Sequence, residues 1–352
     1  MRLRAGVVLP LFLIVAALPL HALEISSGRT KLSLFEGIGR FNFSYRTAAG
    51  DWIPLLSPQD PRTSTLSLVL GSRVFRLGDS ADFVTTLRKT SAGARFVWKS
   101  DSLVVTEAFS FISSVGSTVA DGIRIDLTMK NTSHQDLTAG VRYLFDTWLG
   151  ETSPAHFTTD TGLEIKRETM FSGGNLPRWW VSPKAGDSEQ VGLQCMVTED
   201  GVTQPDRIVF ANWKRLSDSA WSYTTSSTRD FSLLPYSKND SAVALYYDPR
   251  PLAQGSQYTV TLVLGKFNPA GFPAPSAAPA SDFQSVVQQS LAAGKAAPDS
   301  PSGLHADLDA VNAILSRLDD ALAAGAGISD ADLDLVESTI RDLSARSPTS
   351  GK

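Results

Sequence analysis

Cysteine is almost missing: of 352 residues only Cys195 is one. A lone thiol closes no internal disulfide, so a fold of this size has to stand on its apolar core rather than on covalent staples. The surrounding VGLQCMV has the texture of a buried strand, and burial is expected for the thiol in preference to pairing with a second chain. Histidine is nearly as scarce, with four. That scarcity matters because imidazole is the commonest general base near neutral pH. His21 lies in the N-terminal apolar stretch, His305 opens the tail and His134 sits in the polar turn cluster NTSHQDL, which leaves His156 as the histidine with acids close by. HExxH, GxSxG, a P-loop, paired CxxC and GxGxxG after a strand are all absent. Gly78-Asp79-Ser80 matches a hydrolase nucleophile block, but the Asp-x-x-His which that block needs is not found near the C-terminus. From these absences no catalytic residue, metal centre or cofactor is expected.

Charge of one sign is also lacking over most of the chain. Residues 23–280 carry 25 acids and 25 bases, while residues 281–352 carry 11 acids and 5 bases. Neither part has the basic stripe that nucleic-acid binding requires. After the first 22 residues no unbroken apolar run approaches 18, so no membrane span is expected there.

What is present begins with MRLRAGVVLPLFLIVAALPLHALE. Arg2 and Arg4 form a positive n-region, Ala5 to Leu20 an apolar stretch, and Leu20-His21-Ala22 a cleavage site before Leu23. Residues 1–22 are expected to be a signal peptide, and the mature chain to be exported, with the periplasm ahead of secretion or surface display.

From residue 23 to residue 268 strand follows strand. FNFSY puts Phe41, Phe43 and Tyr45 on one face, and GIRIDLTMKN alternates Ile123, Ile125, Leu127 and Met129 against Arg124, Asp126, Thr128 and Lys130. That period of two marks strands with one wet face. At least ten strands with no helix between them predict a mainly β fold: a large antiparallel β-sandwich, either supersandwich-like or two packed sandwiches. Residues 269–302 are rich in Pro, Ala and Ser and predict a linker with a short helix from Asp282 to Gly294. Residues 303–347 predict a helical hairpin. Leu304, Leu308, Val311, Leu315, Leu318 and Leu322 make one heptad stripe, and Leu333, Val336, Ile340 and Leu343 a second. Two short helices bury too little to stand alone, so the stripes predict docking to an envelope protein, to a second copy or back onto the β domain.

The most chemical stretch is GVRYLFDTWLGETSPAHF, residues 140–157. Asp146 leaves its strand on the side of Arg142, and three readings stand open. Asp146 accepts hydrogen bonds from its own turn while Trp148 packs, Gly150 permits the turn and Glu151 is solvated. Alternatively Asp146 and Glu151 are oxygen ligands for calcium, although two carboxylates are too few unless others converge from elsewhere. In the third reading Asp146, Glu151 and His156 form an acid–base set in a sugar-binding cleft. Trp179 and Trp180 are candidates for stacking on a glycan, because adjacent residues of a strand face opposite ways and one ring should be exposed.

GIRIDLTMKNTSHQDLTAGVRYLFDTWLGE, PDRIVFANWKRL and NDSAVALYYDPRPLAQGSQYTVTLVLGKF resemble exported bacterial, spirochaete-like β-sandwich proteins of unassigned function with an RYL-x-DT-x-LG corner. The resemblance covers residues 120–267 and implies a structural module without catalytic residues. This chain departs from it after the Leu-Gly corner, where GETSPAHF stands in place of further acids. A fainter similarity is to the supersandwich of aldose mutarotases, which implies histidines and a glutamate on a concave sheet face. The main expectation is thus a non-catalytic binding or structural protein of the cell envelope. The alternative is a carbohydrate-active or sugar-binding supersandwich.

Overall fold

The computed structural model describes residues 22–90 and 92–273 and, in the tail, residues 307–308, 311, 314–315 and 336–343. The expected signal peptide, the short helix from Asp282 to Gly294, and Leu304, Leu318, Leu322 and Leu333 lie outside these residues.

The alternating segments build three sheets whose strands all pair antiparallel. A four-stranded sheet runs Leu23–Ser27, Thr30–Phe35, Arg40–Arg46 and Trp52–Pro54. A nine-stranded sheet is ordered Glu164–Ile165, Phe157–Thr159, Trp179–Pro183, Gly192–Met196, Gln257–Lys266, Gly122–Asn131, Leu103–Ile112, Gly93–Lys99 and Val84–Lys89. The third sheet has six strands in the order Thr169–Ser172, Arg207–Asn212, Ser241–Leu252, Leu137–Thr147, Thr65–Leu70 and Arg73–Arg76. Inward-facing residues of all three meet in one core, which joins Phe43, Trp98, Ile125, Tyr143, Phe157 and Phe210. One large sandwich therefore replaces the option of two separate ones.

The period-two reading places the core face correctly. Ile123, Ile125, Leu127 and Met129 are fully buried, while Arg124, Asp126, Thr128 and Lys130 are half-buried on the other face. The six-stranded sheet departs from that pattern. Tyr143 and Phe145 face the common core, yet Arg142 and Leu144 on the opposite face are buried as well. The reason is a strap, residues 213–240, which opens on the helix Trp213–Asp218 and covers the outer face of the sheet. The helix is short and its side-chain cap is Asn212, which accepts from the Arg215 N–H. Glu168 anchors the strap further on: its carboxylate accepts from Arg215 at 2.9 Å, the Tyr223 hydroxyl at 2.6 Å and the Ser226 N–H at 3.0 Å.

In the tail, residues 307–308, 311, 314–315 and 336–343 are helical. Leu308, Leu315 and Ile340 of the two stripes are exposed, Val311, Val336 and Leu343 are half-buried, and Ile314 and Thr339 are buried. No helix among the described residues is long and apolar enough to cross a membrane.

Candidate functional site

Antiparallel pairing decides what reaches Asp146. Strand Leu137–Thr147 ends where its neighbour Ser241–Leu252 begins, with Thr147 opposite Ser241 and Asp146 opposite Ala242. Asp240, one residue before that neighbour, thus arrives at the same end of the sheet. The chain leaving Thr147 turns through the 3-10 segment Leu149–Thr152, which carries Glu151 back over the same edge. Gly150 is needed here because of a close approach: a Cβ on it would lie 2.1 Å from the His156 carbonyl oxygen. Its N–H donates to Ser182 Oγ at 3.0 Å.

The result is a three-carboxyl corner. Oxygens of Asp146, Glu151 and Asp240 all lie within 4.8 Å of one another, and the group contains no histidine. Burial pushes the Asp146 carboxyl up to about 7, against hydrogen bonds from Thr63 and Ser57, with the charge of Asp240 adding to the rise. Burial also lifts Glu151 to about 8; the Ser241 N–H, which donates to it at 3.0 Å, opposes this, and the charges of Asp146 and Asp240 reinforce it. Asp240 is raised by burial too, with Ser237 opposing. Like charges drawn together out of water share protons near neutrality. Three carboxylates with hydroxyls at hand are also the hard-oxygen set that a divalent cation takes, although calcium wants six or more oxygens.

Two expectations for this stretch are corrected. Asp146 is engaged away from its own turn: its N–H donates to Ser64 Oγ at 3.0 Å, its carbonyl accepts from the Ser57 N–H at 3.0 Å, and Thr63 and Ser57 are the neighbours that oppose the rise of its carboxyl. Glu151 is not solvated: it is half-buried and holds the first N–H of the neighbouring strand. Trp148 packs as expected and donates its indole N–H to the Pro54 carbonyl at 3.0 Å.

His156 sits in aromatic packing. Its ring lies 4.6 Å from that of Phe231 and 6.4 Å from that of Phe157. It is buried, its Nδ1 has no hydrogen-bond partner, and burial lowers its pKa to about 4 despite the attraction of Asp230. His156 is not among the groups that meet at the carboxyl corner, which gathers Asp146 and Glu151 with Asp240 instead. The exposed tryptophan expected from alternation is absent as well. Trp180 faces the common core with Phe157 and Phe210, while Trp179 packs with Phe267 and Phe272 on the other face, and both rings are buried. Asp79, from the Gly78-Asp79-Ser80 block, pairs with Arg40 at 2.9 Å.

Two groupings of buried acids escaped sequence reasoning. Asp240 was hidden because the strand pairing that brings it to Asp146 spans more than ninety residues, and the Asn239-Asp240-Ser241 step before an apolar strand was the only local sign. The other is Glu107, buried in the core, where it accepts from the Tyr143 hydroxyl at 2.8 Å. Burial raises its carboxyl to about 8, opposed by that hydrogen bond and by Arg40. A small interior cavity lies between them, lined by Gly39, Arg40, Thr65, Glu107 and Tyr143 among others. This acid could have been found, since it alternates with Val105 and Phe109 at an inward register of its strand.

The chain is a mainly β protein of the sandwich class. No protein-family model matches the sequence, and no curated protein does. Solved structures similar to it include a galactose mutarotase related enzyme from Lactobacillus acidophilus, at 7% identity over 70% of this chain and 98% of that one, with a TM-score of 0.42. A galactose mutarotase-like protein from Lactobacillus casei is similar at 9% identity over 70% and 100%, with a TM-score of 0.43. These are the proteins of the fainter resemblance; nothing among the matches bears on the spirochaete-like one.

Proposed function

We propose that this chain is an exported, non-catalytic β-sandwich protein that serves as a binding or structural component of the cell envelope, with its C-terminal leucine stripes docking it to a partner. The observation that supports this reading is the fate of His156. The histidine nearest the acids in sequence is buried against Phe231 with its pKa pushed down to about 4, so it is neutral near pH 7 and shielded from solvent. The mature chain and a version ending at Ala280 test the docking role. A higher solution mass for the full mature chain is expected. Equal monomeric masses, together with failure of the isolated tail to retain any envelope protein, would end it.

A carbohydrate-active role is the second reading, and the three-carboxyl corner favours it. Carboxyl groups held near neutrality are what glycosidic and anomeric proton transfers use. Sugars are the substrates to try because the mutarotase resemblance implies them. Polarimetry of freshly dissolved α-D-glucose and α-D-galactose is expected to give the same relaxation rate with and without the protein. An acceleration that Glu151→Gln removes would replace the non-catalytic reading with this one.

A further inference from the structure

The three sheets meet at a polar spot inside the core. Arg40 comes from the four-stranded sheet, Thr65 and Tyr143 from the six-stranded sheet, and Glu107 from the nine-stranded sheet. All four are buried, and all four line the small cavity beside Glu107. That cavity offers about 10 Å³ to the centre of a water-sized sphere, which is the room of a single water molecule.

Several polar atoms of the lining are already engaged. The Tyr143 hydroxyl donates to Glu107 Oε1 at 2.8 Å. Arg40 Nη1 donates to the carbonyls of Ile38, Gly39 and Leu77, and Nη2 lies 2.9 Å from the Asp79 carboxylate. Arg40 Nε and Thr65 Oγ1 are different: both are buried and neither has a partner among the described residues. A buried donor and a buried hydroxyl left unmet each carry the full cost of their desolvation. Glu107 adds a third demand. Burial raises its carboxyl to about 8, against the Tyr143 hydrogen bond and Arg40, so at pH 7 it keeps its proton. With Tyr143 donating to Oε1, that proton belongs on Oε2, where it too requires an acceptor.

We propose that this cavity is the site of one internal water, which accepts from Arg40 Nε and from the Glu107 carboxyl and donates to Thr65 Oγ1. Arg40 and Thr65 stand in the wall of the same cavity without bonding to each other, and a bridging water meets both at once. Its two lone pairs match the two donors and one of its protons matches the hydroxyl, three bonds being the usual number for a buried water. The volume leaves no space for an organic ligand, and the guanidinium repels a cation. So placed, the water ties a strand of each sheet to the other two. A polar junction with every member satisfied fixes how the sheets sit on one another, which apolar contacts do less sharply.

Crystals of the full mature chain grown near neutral pH should show one ordered peak in the cavity, at roughly 2.6–3.2 Å from Arg40 Nε, Thr65 Oγ1 and a Glu107 carboxyl oxygen. In solution, magnetic relaxation dispersion of water counts the long-lived internal waters. Thr65→Val, which puts a methyl where the hydroxyl stood, should lower that count by one, and Thr65→Ser should restore it. The crystal reading needs no variant and decides the matter if Thr65→Val does not fold. A cavity with no peak in the unmodified chain, or the same count of long-lived waters in all three chains, overturns the proposal.

Discussion

Phe157→Ala should lower the stability of the sandwich by about 3–5 kcal/mol, the usual cost of emptying a fully buried aromatic site. Phe157 is completely buried, and its ring lies 4.9 Å from Phe210, 5.6 Å from Phe231 and 5.9 Å from Trp180. Those neighbours belong to both large sheets and to the strap, so no single element can shift to close the void. For a domain of this size the melting temperature should fall by roughly 10 °C. Urea unfolding should show a lower midpoint with an unchanged slope. The effect extends to the carboxyl corner, because the Asp240 N–H donates to the Phe231 carbonyl at 3.0 Å. His156→Leu is the contrasting substitution. It keeps a ring-sized apolar group on Phe231 and removes a buried Nδ1 that has no partner, so stability should hold or rise. A loss from His156→Leu as large as that from Phe157→Ala would mean that the imidazole makes a contact its packing does not account for.

The contrast between these two neighbours indicates how much was legible beforehand. Alternation in GIRIDLTMKN names its inward residues from the sequence alone, because a strand with one wet face repeats every two residues. In VRYLFDT the same rule orients Tyr143 and Phe145 correctly but leaves Arg142 on a wet face. The strap that dries that face comes from residues 213–240, whose Ser- and Thr-rich texture shows no period. Trp179 and Trp180 failed for the same reason: alternation gives opposite faces, but Phe267 and Phe272 arrive from another segment to cover the second one. Asp146 and Glu151 stood out as close in sequence, and the third acid that makes them a group did not, because the pairing that delivers it is long-range. Local chemistry was readable; the partners supplied by distant chain were not.

Stability should fall as pH rises from about 6.5 to 8, the reverse of the behaviour of a protein held by ion-paired carboxylates. The direction follows from linkage. In the folded chain Asp146 sits near 7 and Glu151 and Glu107 near 8, with Asp240 raised as well, against ordinary values of 3.8 for aspartate and 4.5 for glutamate. Between the ordinary and the raised values the folded state binds more protons than the unfolded one, so each rise in pH favours unfolding. His156 works the other way, because its pKa of about 4 in place of 6.5 makes acid the destabilising condition. Above about 6.5 that histidine is neutral in both states, and only the carboxyls act. Glu107 is shielded completely, while Glu151 and Asp240 are half-buried and solvent screens part of their effect. Together they should cost about 2–3 kcal/mol across the window. Melting in buffers of constant ionic strength reads this directly. Glu151→Gln and Asp146→Asn should each raise the melting temperature at pH 8 and flatten the slope, since a neutral amide occupies the space without the charge. A curve that is level or rising from pH 6.5 to 8 would refute the shared-proton corner. Calcium at pH 8 discriminates further. Restoration of the pH 6.5 melting temperature by calcium, removed by chelator and missing in Glu151→Gln, would assign the three carboxylates to a cation in place of their protons.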